Sequence, residues 1–462
     1  MSNSPRLALV IALGACSGTP SEPAPRAPAL GEAAPAPEVA DAGLDDGGTV
    51  DAAPPPSPLA VPAGALDGFH AALARAAAQA ADGRALILMF GDSHTAGDYL
   101  TGALRRDLGA RFGVAGRGFV LPGKPAIRHY SQRDVRYGAT GRWQAELGGK
   151  RGDHEPFGLA GVRSHATDKR AVAWVASCDG CPAAAVARFD LYYLRTPTSG
   201  TLAFQIDDGA WHKLTTRLPA GATTPAPEVL PVPVAPGPHK LAVRPAGGGP
   251  IELFGVALEG GSPGVMVDAL GVVGRRLTHL RAWDWAVIGP QVAARAPALV
   301  VLQYGTNEAD DPTLDLTRLA AAYDEVIARV RAAAPGASIL LLGPPDMGAR
   351  EAGRAACNAL PPPTDPDAGV PVECQWRTPA LVPLVIDVQR QAAARNQVAF
   401  FDTFAAMGGG NLMDGFVHAD PPLAYPDHVH FNQAGYQVWA QLLEAALLAD
   451  HERWRAAASA AP

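Results

Sequence analysis

The sequence predicts an α/β fold built on a parallel sheet, interrupted by an inserted antiparallel β-sandwich. Three observations predict it. Continuous apolar runs bounded by turn residues occur at 85–90, 298–304 (ALVVLQY), 338–342 (SILLL) and 398–401 (VAFF). Amphipathic helical patterns lie between and after them, and such alternation builds βαβ units around a sheet covered on both faces. Between 135 and 262 no helical pattern is convincing, and short alternating runs with frequent Gly, Pro and Asp turns take over.

The elements follow in chain order. Arg6 precedes the apolar run Leu7 to Leu13 and then Leu13-Gly14-Ala15-Cys16. The run is too short to span a bilayer, which takes about 20 residues, but it suits the core of an export signal. Small residues before Cys16 resemble a bacterial lipoprotein cleavage box, so 1–16 reads as a signal with Cys16 as the lipid attachment point. An ordinary secretory signal is the competing reading. The expected location is therefore outside the cytoplasm, anchored in the cell envelope by lipid, with no other contact to a membrane.

Residues 17–62 are rich in Pro, Ala, Gly and Asp and hold no aromatic residue. Such a segment buries too little apolar surface to offset the entropy of ordering it, and it reads as a flexible tether. It also carries most of the charge. Seven acids stand there against Arg26, out of a net −7 for the whole chain of 462 residues. The body is nearly neutral and shows no basic stretch, which argues against nucleic acid as a partner.

The α/β body is expected over 63–134 and 263–450, with a C-terminal tail at 451–462. Leu66, Phe69, Leu73 and the alanines to Ala81 follow helical spacing, ended by Asp82-Gly83. Further faces are Leu316, Leu319, Tyr323, Val326 and Val330; Leu381, Leu384, Val385 and Val388; and Val438, Trp439, Leu442 and Leu443. The insert, 135–262, is read from the runs 186–194, 201–206, 239–244 and 251–258 as a jelly-roll-like sandwich. Its aromatic residues Trp143, Trp174, Tyr192, Tyr193 and Trp211 could form a sugar platform, although strand aromatics more often build a core.

Setting Cys16 aside leaves an even four cysteines. Sequence proximity suggests disulfides Cys178–Cys181 and Cys357–Cys374, in keeping with export. A zinc knuckle at Cys-Asp-Gly-Cys is the alternative, but the second pair lacks ligand spacing.

Four separated pieces could carry chemistry. Gly91-Asp92-Ser93 follows a strand, and ligands of doubly wound sheets bind beyond the carboxyl ends of strands. Alone, Ser93 reads more readily as a helix cap than as a nucleophile. Asn307, in Gly305-Thr306-Asn307-Glu308, can aim its amide at an oxyanion, a role worth on the order of 3 kcal/mol in acyl transfer; alone, it reads equally as the brace of a turn. Asp427-His428-Val429-His430 offers a carboxylate that could orient an imidazole, which in turn could take a proton from serine. His430 has the three-residue spacing to Asp427, whereas His428 is adjacent to it and is expected to point away. A metal reading of His-x-His finds no supporting ligand cluster in the sequence. The fourth piece is a glycine N–H: Gly274 in VDALGVVGRRL, preferred on chain order, or Gly118 in GRGFVLPG. Asp346 and Asp402 end strands on the same sheet edge and are expected to brace loops.

The ordered set Gly-Asp-Ser, glycine, Gly-Thr-Asn and Asp-x-x-His resembles the SGNH (GDSL-like) hydrolase family. That resemblance implies a flavodoxin-like α/β/α core, Ser93 as nucleophile, His430 as base and Asp427 as its orienter. Oxyanion donors would be the Ser93 and Gly274 N–H groups and the Asn307 amide, with neither cofactor nor metal. GDSHTAGD, GVAGRGFV, the β insert and DHVHF further resemble the exported branch with peptidoglycan O-acetylesterases, whose insert is similar to a carbohydrate-binding module. Val273 stands where an asparagine often precedes the oxyanion glycine. The resemblance implies an esterase acting on an acetylated polysaccharide; the chain is expected to be a monomer. A polysaccharide O-acetyltransferase using the same residues and an inert carbohydrate-binding lipoprotein are the alternatives.

Overall fold

Adjacent residues of one strand feed two separate cores. In Arg84–Gly91, Leu86, Leu88 and Phe90 pack into one apolar cluster, while Ala85, Ile87 and Met89 pack into another. Side chains alternate across a strand, so a run apolar at every position must be covered on both faces. The computed structural model describes residues 57–460, apart from 124–126, 128–129, 150–155, 179, 182, 353–355 and 358–370. The expectations for Cys16 and for nearly all of the tether lie outside those residues.

The central sheet has six strands, in the order Leu59–Ala60, Ala399–Phe401, Ser338–Leu342, Leu299–Gln303, Arg84–Gly91, Gly264–Gly271. All neighbours are parallel except the first pair. Arg84–Gly91 lies between the strand that follows the insert and the strand after that, so the chain winds outward in opposite directions from it. Its carboxyl end is the topological switch point, where open α/β sheets bind ligands. Helices Leu277–Ala282, Trp285–Arg295, Leu316–Ala333 and Leu381–Asn396 cover one face; Asp67–Ala77, Tyr99–Phe112 and Gln433–Ala460 cover the other.

Two expectations about boundaries and one about helix faces are corrected. Leu59–Ala60 lies inside the stretch read as tether, yet it pairs with Ala399–Phe401 and Leu59 is buried. Two residues are too few to show periodicity. The tail at 451–462 continues the last helix to Ala460, with His451 buried against His70 and Trp454. Two helix faces are also rotated from the expected stripe: Leu384 and Val438 are exposed, while Ile386 and Tyr436 are buried.

The insert consists of antiparallel sheets. One runs Arg136–Thr140, Val172–Ala176, Lys240–Gly247, Thr201–Ile206, His212–Thr215; the other runs Gln144–Leu147, Val162–Ala166, Ile251–Glu259, Val186–Arg195, Ala226–Gly237. Both sheets contribute to one apolar cluster, for instance Val175, Leu202, Leu241 and Val243 with Phe189, Leu191, Leu253 and Val256. Four prolines in Ala226–Gly237 are tolerated because that strand is an edge, where missing donors break no ladder. β structure begins before residue 135, since Gly116–Val120 pairs with Ile251–Glu259. Tyr192 and Tyr193 are buried, which makes them core residues. The four cysteines form Cys178–Cys181 and Cys357–Cys374, so the zinc-knuckle alternative does not apply. Among the described residues no helix is long and apolar enough to cross a membrane.

Candidate active site

At the end of Arg84–Gly91 the chain turns straight into a short helix, Ser93–Ala96. This turn lies so close to Gly271 that a Cβ there would sit 2.2 Å from the Ala96 nitrogen. Asp92 caps the helix, its carboxylate accepting from the His94 N–H at 2.9 Å. The capping role is therefore taken by Asp92, which leaves the Ser93 hydroxyl free for another partner.

That partner comes from the far end of the chain. His430 Nε2 lies 2.8 Å from Ser93 Oγ, and its Nδ1 lies 2.8 Å from Asp427 Oδ2. The second Asp427 oxygen accepts from the Val429 and His430 N–H groups, each at 2.9 Å. Burial pushes the Asp427 carboxyl up, but the His430 ring and these two N–H donors outweigh it and hold it down at about 2. An ionised Asp427 fixes the imidazole with Nδ1 protonated, leaving Nε2 able to accept the serine proton. The loop is pinned by its own backbone, with Tyr425 N–H donating to the His430 carbonyl at 2.8 Å.

Two charge patterns flank this chain of contacts. Burial raises the Asp92 carboxyl to about 7, against the His94 N–H that lowers it, with Glu308 adding to the rise. His94 is buried, its Nδ1 2.9 Å from the Tyr436 hydroxyl, and burial with His430 nearby holds it well below the usual histidine range. Behind Gly97, Asp98 accepts from Thr101, Arg105, Arg117 and the Arg133 N–H at 2.5 to 2.8 Å. A cavity of about 410 Å³ opens over Ser93 and His430, walled by Tyr99, Tyr130, Tyr425 and Tyr436. No motif marks these tyrosines. They are separated by up to 337 positions, and only the packing of helices Tyr99–Phe112 and Gln433–Ala460 with the loops at 130 and 425 assembles them.

The remaining expected residues divide. His428 turns away from Ser93, as its adjacency to Asp427 suggests, and its Nε2 meets Asp414 at 2.8 Å. Asp346 and Asp402 brace loops: the first accepts from Thr378, Leu412 and Met413, the second caps Thr403–Ala406. Asn307 donates to the Arg275 carbonyl at 3.1 Å, which joins it to the loop carrying Gly274. Gly274 has φ +70° with open space beside its Cα. Gly118 is placed differently. A Cβ there would sit 2.1 Å from the Asp268 carboxylate, in the buried Asp268–Arg295 pair, so its glycine is required by close packing.

Residues 248–438 match the GDSL-like Lipase/Acylhydrolase family. No curated protein is significantly similar. Among solved structures, a peptidoglycan O-acetylesterase aligns with a TM-score of 0.67 at 24% identity, over 86% of this chain and 100% of that one. A family two carbohydrate esterase from Clostridium thermocellum aligns at TM-score 0.27 and 13% identity, over 66% of this chain and 97% of its own. An acetyl xylan esterase aligns at TM-score 0.27 and 17% identity, over 39% and 80%. Only the first is close enough to speak for the fold, and it covers both the sheet and the insert. Residues 248–438 are therefore similar to the GDSL-like lipase/acylhydrolase family, and the chain shares its fold with a peptidoglycan O-acetylesterase.

Proposed function

We propose that this protein is an exported O-acetylesterase that removes acetyl groups from a polysaccharide, peptidoglycan being the first candidate, through an acyl-enzyme on Ser93. The observation that carries the reading is the His430 ring, 2.8 Å from Ser93 Oγ on one side and 2.8 Å from Asp427 on the other. In the first step Ser93 Oγ attacks the ester carbonyl as its proton passes to His430 Nε2. The negative charge that develops on the carbonyl oxygen is met by the Ser93 and Gly274 N–H groups and the Asn307 amide. Collapse expels the sugar alkoxide, which takes the proton from His430. Water, deprotonated by His430, then releases acetate from Ser93.

The cavity of about 410 Å³, open to solvent and walled by tyrosines, suits a small acyl group on a large alcohol. The fold shared with a peptidoglycan O-acetylesterase supports the substrate class. Within this reading the inserted sheets hold the glycan, and Cys16 carries the lipid that anchors the mature chain in the envelope. The two disulfides agree with an oxidising compartment.

The test is acetate release from O-acetylated peptidoglycan, acetylated xylan and other acetylated glycans by the purified chain. Release from at least one glycan, abolished in Ser93→Ala, is expected. Release from none of them, or equal release by Ser93→Ala, would reject the reading.

A further inference from the structure

We propose that Asp414, His418 and His428 bind a divalent transition-metal ion of the zinc class, on the side of the 425–430 loop turned away from Ser93. His428 is 4% exposed and its ring is fixed from several sides. Trp376 stacks on it at 3.7 Å and 14°. Its backbone has φ +58°, a conformation that costs a non-glycine residue on the order of 1 kcal/mol and that turns the ring away from the serine.

The hydrogen-bond inventory around this ring does not close for a neutral histidine. Nδ1 lies 3.1 Å from the Pro426 carbonyl, which can only accept, so Nδ1 carries the proton. Nε2 then presents a lone pair, yet it faces the Asp414 carboxylate at 2.8 Å. Two acceptors at that distance require a positive centre between or beside them. A proton on Nε2 would serve that pair alone. His418 adds a third ligand residue: its Nδ1 lies 3.4 Å from the same Asp414 oxygen and 2.9 Å from the Asp414 carbonyl, a contact that metal binding through Nδ1 would exchange for the ion. One ligand atom from each of the three residues lies within 4.8 Å of the others.

These spacings suit a tetrahedral ion. Zinc bonds to nitrogen and oxygen run about 2.0–2.2 Å, which places neighbouring ligand atoms roughly 3.3 Å apart. The observed 2.8 and 3.4 Å bracket that value. A protonated Nδ1 held by a backbone carbonyl is also how metal-binding histidines are usually oriented. Two imidazoles with one carboxylate favour zinc over calcium or magnesium, which take oxygen ligands. The fourth position opens on a cavity of about 910 Å³ beside Trp376, Asn411 and Arg377, where water can complete the shell. The ion would join helix Met413–His418 to the loop bearing Asp427 and His430, and so act on positioning rather than on the reacting atoms.

Titration calorimetry with zinc chloride on the full chain, freed of any histidine tag, tests this directly. One equivalent should bind to the wild type, and the cobalt(II) form should show the visible absorption of a tetrahedral site. Asp414→Asn and His428→Gln should each weaken zinc binding by roughly 100-fold or more, since even outer partners of a metal site are worth 10–100-fold. His418 is the decisive position, because its side chain is 70% exposed and His418→Ala leaves the packing intact while removing a ligand. His451→Ala, outside the cluster, should leave binding unchanged. Absence of zinc uptake by the wild type, or uptake indifferent to His418→Ala and Asp414→Asn, overturns the proposal and leaves an imidazolium–carboxylate pair. The readout is binding, so it succeeds or fails independently of the esterase reading.

Discussion

Nε2 of His430 lies 2.8 Å from Oγ of Ser93, although 337 positions separate the two residues. Ser93 follows a buried strand and His430 precedes the last helix, so the contact exists only because both elements reach the same edge of the sheet. Removing either group should abolish proton transfer and leave the fold intact. Ser93→Ala and His430→Ala are each expected to lower kcat/KM for p-nitrophenyl acetate by on the order of 10⁴-fold, and Asp427→Asn by about 10³–10⁴-fold. Melting temperatures should stay close to that of the wild type. A fluorophosphonate probe should label the wild type and not Ser93→Ala.

Asn307 tests the oxyanion assignment. Its amide already donates to the Arg275 carbonyl, so Asn307→Ala removes a side chain whose loop contact is worth only about 1 kcal/mol. If the amide also meets the developing oxyanion, kcat should fall by about 10²–10³-fold with KM little changed. A rise in KM at constant kcat would assign Asn307 to substrate binding instead.

Asp92 gives a stability signature. Burial raises its carboxyl from the ordinary 3.8 to about 7, more than the His94 N–H and the Gln303 side chain lower it. The folded state therefore holds a proton that the unfolded chain releases near pH 4. The associated stability is full below that pH, declines as pH rises toward 7, and is then constant. The decline is on the order of 4 kcal/mol at most. Asp92→Asn mimics the protonated form and should abolish the decline, so denaturant melts should show its advantage over wild type growing from pH 4 to pH 8.

Asp98 should behave in the opposite sense. Burial pushes its carboxyl up, but Arg105 and Arg117 outweigh that and hold it below the usual range. Its contribution is present above the unfolded value and is lost as pH falls through the folded one. Asp98→Ala leaves the buried Arg117 without its carboxylate and Arg105 with Asp134 alone, and should destabilise the chain by about 3–5 kcal/mol at pH 7. Urea denaturation measures this, and a loss under about 1 kcal/mol would show the arginines to be paired sufficiently by other groups.

Several features were legible because their physics is local. The strand at 85–90 had to be buried on both faces, since no residue in it is polar. The three-residue spacing from Asp427 to His430 let one carboxylate reach both the His430 ring and the N–H groups of Val429 and His430. The short pair Leu59–Ala60 was not legible, because its order comes from a neighbour 340 positions away. Gly118 was ambiguous for the same reason: its partner is the Asp268 carboxylate on another strand.

By itself, then, the sequence determined the α/β class, the antiparallel insert and the order of the short motifs. Each rests on periodicity or on spacings of a few residues. Tertiary structure alone decided that Asp92 rather than Ser93 caps the helix, that four tyrosines wall one cavity, and that His428 turns toward Asp414 and His418. Hydroxyls, rings and carboxylates interact over about 3 Å, and distances of that size between remote residues exist only once the sheet and its helices have packed.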